Sequence, residues 1–153
     1  MNIKHLVFLS PLLFAGCASV NSYNEPKSQN VATVSGSSTR TGLATWSNNS
    51  VTSIDNKQVG MLWSSDSKVK VAPGSHLFVI TTEFNLGFGT GPYLTLTEVE
   101  ATVKPGMNYR FVSEPHGASL SVWAVDSNGQ RVSKVGSSKY QYSPQQATYV
   151  VVH

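Results

Sequence analysis

Few side chains in this chain of 153 residues could take part in covalent, acid–base or metal chemistry. There is one cysteine, Cys17, and two histidines, His76 and His116, lie well inside the sequence. A thiolate can act as a nucleophile or metal ligand, and a neutral imidazole can act as a base or metal ligand. Three kinds of chemistry therefore need to be weighed: modification of Cys17, catalysis by a histidine, and metal binding by histidine and carboxylate groups.

Cys17 follows a segment with the three parts of an export signal. Lys4 lies in a short n-region, and an apolar stretch covers residues 6–15. That stretch is about ten residues long, too short for a bilayer core that needs about 20. A protein with a single cysteine cannot form an internal disulfide, so a lone thiol in an exported chain favours covalent modification.

The four residues Phe14-Ala15-Gly16-Cys17 resemble a bacterial lipobox, with Phe14 where that pattern prefers Leu. The resemblance implies cleavage before Cys17 and acylation of the new N-terminus, palmitate included. Two or more acyl chains give stable membrane attachment, whereas one chain is marginal. Ala18 follows where an inner-membrane retention signal would have Asp, which implies an outer-membrane location facing the periplasm or the surface. An ordinary signal peptide with a chance cysteine is the alternative.

The charge composition argues against a nucleic-acid partner. Charged residues make up 12% of the chain and the formal net charge is +3, whereas a charged fraction of about 25% is usual. Lys68, Lys70 and Lys104 are too scattered to form a basic stripe that would follow a phosphate backbone. No second long apolar run occurs, so the lipid on Cys17 is the only membrane attachment that the sequence predicts.

Alternating apolar and polar residues, with turn residues every 8 to 12 positions or so, predict an all-β fold. We expect a single antiparallel β-sandwich of about seven or eight strands after a cleaved signal peptide. The predicted organisation is a signal peptide at 1–16, the lipidated cysteine and a flexible tether at 17–30, the sandwich at 31–136, and a polar tail at 137–153. Within the tail, residues 147–152 could add a final strand to this sheet or pair with another chain.

Individual strands and turns can also be predicted. Residues 75–84 are apolar on both faces, which indicates a central strand. In residues 93–103 the apolar residues change parity, which predicts a β-bulge or kink near Thr97 and Glu98. The Asn128-Gly129 pair predicts a hairpin whose return strand covers 131–135.

Two runs carry a family resemblance: VKVAPGSHLFVI at 69–80 and VKPGMNYRF at 103–111. Together with the turn at 53–57 and the hairpin at 125–132, they resemble small bacterial envelope lipoproteins with PEGA-like or carboxypeptidase-regulatory-like domains. The resemblance implies a compact sandwich of the immunoglobulin/transthyretin-like kind, without a known catalytic site. No cofactor is predicted.

The histidines do not form a recognisable catalytic or metal-binding motif. We expect His76 to close the Pro73–Gly74 turn through a side-chain hydrogen bond. An enzyme would instead require His76 or His116 within hydrogen-bond distance of a serine or carboxylate in a cleft. His116 could meet Glu98 and Glu100 at a weak cation site, but a solvated strand face is the simpler interpretation, and no metal is predicted.

The most distinctive loop covers residues 85–93, NLGFGTGPY. It lacks the lysine and spacing of a phosphate-binding loop. Exposed apolar side chains on such a loop could contact a partner, and the candidates are Leu86, Phe88 and Tyr93. Alternatively, Phe88 folds back over the open end of the sandwich. The sequence thus predicts a non-catalytic envelope lipoprotein that makes protein contacts, with a glycan-binding or enzyme-inhibitor module using residues 86–93 as the alternative.

Overall fold

The computed structural model describes residues 21–60 and 65–142, except the side chains of Gln141 and Tyr142. The predictions for the signal peptide, for Cys17 and for residues 147–152 lie outside the described residues. In the described part the chain is all-β, without a helix. That part accordingly contains no helical segment long and apolar enough to cross a membrane.

The strands of the described residues form two sheets. The five longer strands are β3, β6, β7, β8 and β9, and the others have two to four residues each. The strands are β1 (Ala32–Ser35), β2 (Ser37–Arg40), β3 (Thr45–Ile54), β4 (Lys57–Gln58), β5 (Lys68–Val71), β6 (Gly74–Leu86), β7 (Tyr93–Val103), β8 (Asn108–His116), β9 (Ser119–Val125), β10 (Gly136–Lys139) and β11 (Gln141–Tyr142).

The first sheet has the order β10-β9-β8-β1-β5 and the second has the order β11-β7-β6-β3-β2, with β4 paired to β3. Strands β1 and β8 are parallel, and the other strand pairs are antiparallel. The sheets are therefore mostly antiparallel, as the alternation of the sequence indicates. Strand β6 lies between β3 and β7, which confirms its prediction as a central strand.

Buried apolar side chains from both sheets form one core. The rings of Phe78 on β6 and Phe111 on β8 lie 5.0 Å apart and join the two sheets. Tilted aromatic pairs at this distance are favourable beyond the area they bury. The largest buried apolar side chains are Phe78, Phe84, Phe111, Ile54, Ile80 and Leu120.

The chain passes from the first sheet to the second at Gly36, between β1 and β2. A Cβ atom at residue 36 would overlap the carbonyl oxygen of Asn49, so only glycine fits there. Beside this crossing, the buried Ser37 hydroxyl donates to Phe111 O at 2.7 Å and accepts from Asn49 Nδ2 at 3.0 Å. Thr82 Oγ1 donates to Asn49 Oδ1 at 2.7 Å. This network of paired polar groups links β8 to β2, β3 and β6 across the core.

Strand β7 does not contain the predicted bulge. It pairs with β6 without interruption from Gly74↔Val103 to Phe84↔Tyr93. Thr95 and Thr97 face the core, where both hydroxyls bond to Ser138, while Leu94 and Leu96 face outward. The apolar residues change parity along β7 because two threonines, whose hydroxyls are hydrogen-bonded, take positions in the core that apolar residues would otherwise occupy. The register shift of this sheet lies in β3, between Val51 and Ser53.

The return strand predicted for residues 131–135 is also different in the structure. The Asn-Gly turn forms, with Gly129 at φ 78°, but residues 131–135 make only the isolated bridges Val125↔Arg131 and Ala101↔Ser133. Pairing with β9 resumes in β10, where Gly136 lies opposite Val122. Strand β10 begins at Gly136, the last residue of the predicted sandwich, and continues into the predicted polar tail at 137–153, which also contains β11.

The N-terminal part of the described chain is bound to the domain, whereas the sequence predicts a flexible tether there. Tyr23 N donates to Gln58 O at 2.7 Å and Gln58 N donates to Asn21 O at 2.8 Å. Tyr23 also packs against the core, and its hydroxyl donates to Lys70 O at 3.0 Å. The sequence of residues 21–25 is typical of a polar linker. Their binding could not be predicted, because the main-chain groups that bind them belong to strands that are distant in the sequence.

Candidate functional site

The strand directions define two ends of the molecule. The Asn56 end consists of the turns at residues 55–56, 72–73, 104–107 and 126–130. The Phe88 end consists of the loops at residues 41–44, 87–92 and 117–118. Since β6 has 13 residues and a strand rises about 3.3 Å per residue, the two ends are about 40 Å apart.

Exposed apolar side chains gather at the Phe88 end. Phe88 is 83% exposed and Leu86 is 39% exposed, so Phe88 does not fold back over the core. Leu43, in the neighbouring loop, is 84% exposed. The pairing of Thr45 with Leu86 brings the Leu43 and Phe88 loops together. Leu43 is not among the contact residues predicted from the sequence. The one feature of the sequence that could have identified it is that a large apolar residue stands in a run of Thr, Gly and Ala.

Local hydrogen bonds shape the Phe88 loop. Asn85 Oδ1 accepts from Gly87 N at 3.1 Å and from Thr90 Oγ1 at 3.4 Å, and Thr90 Oγ1 also lies 2.9 Å from Gly87 O. Gly89 adopts φ 72°, which a side-chain-bearing residue rarely adopts. The loop thus keeps its own polar groups paired while its apolar side chain projects into solvent.

Tyr93 lies beneath this surface rather than on it. It is half-buried, and its ring lies 5.5 Å from Phe84 and 4.9 Å from Tyr140. Tyr140 Oη donates to Gly117 O at 2.6 Å, which ties the β8–β9 loop to the same cluster. Of the three predicted contact residues, the structure therefore places Leu86 and Phe88 at the surface and Tyr93 in the support below them.

A shallow depression of about 280 Å³ lies next to this end, on the outer face of the second sheet. Ser38, Thr39, Arg40, Trp46 and Asn48 line it. The Ser38 hydroxyl donates to Asn48 Oδ1 at 2.7 Å, and Arg40 donates to Gly42 O and Leu43 O at 3.3 and 3.1 Å. Fixed polar groups around an indole can hold a ligand with an apolar face and hydroxyl edges.

His76 and Asp55 form the main ionisable pair of the Asn56 end. His76 Nδ1 lies 2.7 Å from Asp55 Oδ2 and His76 Nε2 lies 2.8 Å from Ala72 O. The second contact confirms that His76 closes the turn before β6. Both ring nitrogens face acceptor oxygens, so both hydrogen bonds form together only when each nitrogen carries a proton. The nitrogen that would act on a substrate is held by the Ala72 carbonyl.

Asp55 is held in its ionised form by this arrangement. Burial acts to raise its pKa, but the hydrogen bonds from His76 and Leu77 N, with the charges of His76 and Lys57, lower the pKa below its usual value. Asp55 and Asn56 adopt φ values of 50° and 61°, so they form the tight turn predicted from the sequence. The pair therefore fixes the β3–β4 turn to the start of β6.

His116 and the two glutamates do not converge. His116 Nε2 lies 3.6 Å from Glu114 Oε2, with both side chains 60% exposed. Glu100 Oε2 pairs with Lys134 Nζ at 3.1 Å, and Glu98 is exposed on β7. Within residues 21–60 and 65–142, no three His, Cys, Asp or Glu side chains come close enough to hold a metal ion.

Comparison of the chain with protein-family models, curated proteins and solved structures gives no match. Function must therefore be inferred from the sequence and from the two surfaces at and beside the Phe88 end. Both suit non-covalent contact: one is convex and apolar, and the other is concave and polar with one indole.

Proposed function

We propose that this protein is an outer-membrane lipoprotein whose non-catalytic domain makes protein contacts in the cell envelope. The lipobox-like sequence at Cys17 supports the lipid anchor. The observation that carries the contact role is the pair of apolar loop tips, Leu43 and Phe88, each more than four-fifths exposed (84% and 83%). Large apolar side chains at adjacent loop tips cost solubility unless a partner covers them.

The same proposal includes the finer fold assignment. Two mostly antiparallel sheets share a core that both contribute to, which supports a β-sandwich. The immunoglobulin/transthyretin-like assignment and the kinship with PEGA-like envelope domains are supported by the turn sequences that carry the resemblance. The chain passes between the two sheets at Gly36 and again at Tyr140, as it does in a sandwich whose two layers are connected.

A protein partner fits the Phe88 end better than a flat or highly polar ligand does. Single apolar anchors bind most strongly when they enter a recess that excludes water, and aromatic side chains dominate such contacts. The three loops at this end, residues 41–44, 87–92 and 117–118, contain no charged residue. The charge that adjoins them is the Arg40 guanidinium, which already donates to Gly42 O and Leu43 O, so a partner that buries the loop tips meets mainly uncharged groups.

The anchor is tested by intact mass and membrane fractionation of the wild type beside Cys17→Ala. We expect a wild-type species that begins at residue 17 with added acyl mass and sediments with outer membranes. The substituted protein should lack that mass and leave the membrane fraction. A mature wild-type species without acyl mass would remove the basis of the proposal.

A glycan-binding module is the second candidate, and the depression at Trp46 favours it. Trp46 pairs with Asn85, the residue that organises the Phe88 loop, so the depression and the 86–93 loop are contiguous. A sugar ring could stack on the indole while its hydroxyl groups bond to Asn48 and Arg40.

Soluble peptidoglycan fragments, added while tryptophan fluorescence is monitored, test this candidate. A Trp46→Phe variant should lose the fluorescence response and weaken binding about tenfold or more, as expected for loss of about 1.4 kcal/mol. Trp123→Phe is the matched control, because Trp123 is a half-buried tryptophan on β9 of the other sheet. Saturating fragments that leave the wild-type fluorescence and mobility unchanged would exclude this candidate for that glycan.

A further inference from the structure

The segment before β1 is bound along one side of the domain. Ser22 forms a parallel bridge with Gln58 of β4, flanked by two main-chain hydrogen bonds. Tyr23 reaches Lys70 O of β5, and Lys70 N donates to Glu25 Oε1 at 3.3 Å. Because β4 belongs to the second sheet and β5 to the first, residues 22–25 join the two sheets. They fix the N-terminal junction, the point at Asn21 where the preceding chain meets the domain.

The N-terminal junction lies at the Asn56 end. Gln58 lies opposite Ser53, two residues beyond the turn formed by Asp55 and Asn56. The bridge with β4 is parallel, so the chain runs from the Asn56 end toward the middle of the domain as it passes from Asn21 to Tyr23. Everything before Asn21 therefore connects to the domain at the Asn56 end.

Covalent geometry then limits where a lipid on Cys17 can lie. Four residue steps separate Cys17 from Asn21, and an extended chain spans at most about 3.5 Å per residue, or about 14 Å in all. Asn21 lies beside β4, level with Ile54 and its partner Phe78, so the eight residue steps from Phe78 to Leu86 place the Phe88 end about 26 Å from the N-terminal junction. An orientation with the Phe88 end on the bilayer would lift the junction well beyond this reach.

The charged residues of the two ends also favour an orientation with the Asn56 end toward the membrane. Lys104 lies in one turn of the Asn56 end, and Lys57 and Arg131 directly follow two other turns of this end; all three side chains are exposed. Two carboxylates lie in the same turns, Asp55 and Asp126, so the formal net charge of these five groups is +1 (three minus two). Asp55 accepts hydrogen bonds from His76 and Leu77 N, and Asp126 Oδ1 accepts from Asn128 N and Gln130 N at 2.9 Å. Exposed basic groups near an anionic lipid surface are attracted to it. The loops of the Phe88 end contain no charged residue, and Arg40, directly before the first of these loops, is the one charged residue that flanks them when histidine is counted as neutral.

We propose that the Asn56 end is a docking surface for the bilayer that holds Cys17, with Lys57, Lys104 and Arg131 against anionic headgroups, and that the Phe88 end points away from that bilayer. The inference rests on the proposed lipid anchor. It adds an orientation: the partner of Leu43 and Phe88 approaches from the side opposite the membrane, about one domain length from the lipid surface.

Energy transfer from the acylated protein to a headgroup-labelled lipid tests this orientation. Vesicles of phosphatidylglycerol and phosphatidylcholine carry the acceptor, and the donor is placed on Asn128→Cys at the Asn56 end or on Leu43→Cys at the Phe88 end. Cys17 is the only native cysteine and is consumed by acylation, so the introduced thiol is the only one to react. We expect several-fold stronger transfer from position 128 than from position 43.

Two comparisons separate the contributions. Tyr23→Ala combined with Glu25→Ala should free the bound segment, lengthen the reach and reduce the difference between the two positions. Asn24→Ala is the matched control, since Asn24 is exposed in the same segment, and it should preserve the difference. Vesicles of phosphatidylcholine alone should also narrow the difference, because the basic side chains lose their counterpart.

The intact mass of the same samples separates a failure of the proposed orientation from a failure of the proposed lipid anchor. Acylated protein with equal transfer from both positions would overturn the orientation and leave the lipid anchor standing. An unchanged difference without anionic lipid would overturn the headgroup contact. Protein without acyl mass would overturn the proposed function and this inference together.

Discussion

At the scale of single residues, Asp55 shows that a carboxylate beside a histidine can have a structural role even though the pair resembles part of a catalytic site. It accepts a hydrogen bond from His76 and another from Leu77 N, and Leu77 O accepts from Asp55 N at 2.8 Å. A histidine beside a carboxylate is also the start of a catalytic arrangement. Here the far nitrogen of His76 bonds to Ala72 O, so the pair closes two neighbouring turns.

This pair predicts a particular acid dependence of stability. The pKa of Asp55 is lower in the folded state than its ordinary value, so its stabilising contribution is complete above the unfolded pKa of about 3.9. The contribution decreases as the pH falls below that value and the folded carboxylate becomes protonated. Urea unfolding from pH 6 to pH 2 should show the difference between wild type and Asp55→Asn shrink toward acid.

Asparagine suits this comparison because it tolerates the positive φ of residue 55. Asp126→Asn would not test the contact between the two turns, because the Asp126 carboxylate accepts hydrogen bonds from main-chain groups of its own turn. A difference between wild type and Asp55→Asn that stays constant over the whole pH range would contradict the lowered pKa of Asp55 in the folded protein.

Gly36 gives a second prediction at this scale. A Cβ atom there would collide with Asn49 O and would lie 2.7 Å from Ser65 O. Both are main-chain atoms, so the backbone must shift, and Gly36→Ala should lower the free energy of unfolding by about 3 kcal/mol or more. Gly60→Ala is the control, because no atom of the described residues lies within 4 Å of the position that its methyl group would take. Equal urea midpoints for the two variants would contradict the close crossing.

At the scale of elements, turn residues predicted the strand ends better than apolar parity predicted strand faces. The turn at Asp55, the Pro73–Gly74 turn before β6 and the full span of β7, Tyr93–Val103, were accessible from the sequence. The faces of β7 were not, because Thr95 and Thr97 become core residues only through Ser138 on a strand about 40 residues away. Sequence order alone does not show that hydroxyl partner.

Ser138 therefore supplies a test of how β10 supports β7. Its hydroxyl bonds to both Thr95 Oγ1 and Thr97 Oγ1, two buried groups. Ser138→Ala should lower the free energy of unfolding by roughly 1 to 3 kcal/mol, because it leaves a buried hydroxyl without its partner. Ser137→Ala, at an exposed position of the same strand, should change it by no more than about 0.5 kcal/mol. Similar urea midpoints for both variants would mean that the hydrogen bonds from β10 to the buried threonine hydroxyls of β7 do not contribute to stability.

At the scale of the whole molecule, the sequence predicted part of the candidate contact surface. Leu86 and Phe88 could be identified because glycines alternate with apolar residues in one loop. Leu43 could not, since only the pairing of β3 with β6 places its loop beside theirs. The same limit applies to residues 21–25, whose binding to β4 and β5 fixes the N-terminal junction at one end of the domain.

The two ends then have separate proposed roles: attachment at the Asn56 end and partner contact at the Phe88 end. Side-specific cross-linking in living cells distinguishes these roles, with photoreactive benzoylphenylalanine replacing Phe88 or Asn128. Position 88 retains an aromatic side chain on a loop tip that is 83% exposed, so the replacement should not disturb the fold.

We expect position 88 to give a discrete cross-linked protein species, and we expect a Leu43→Ser background to reduce that species several-fold because the second apolar tip is lost. Position 128 should not give the same species. Discrete cross-links at 88 that depend on Leu43 would establish the Phe88 end as the protein-contact surface. Absence of cross-links at 88, or the same species from 88 and 128, would contradict it.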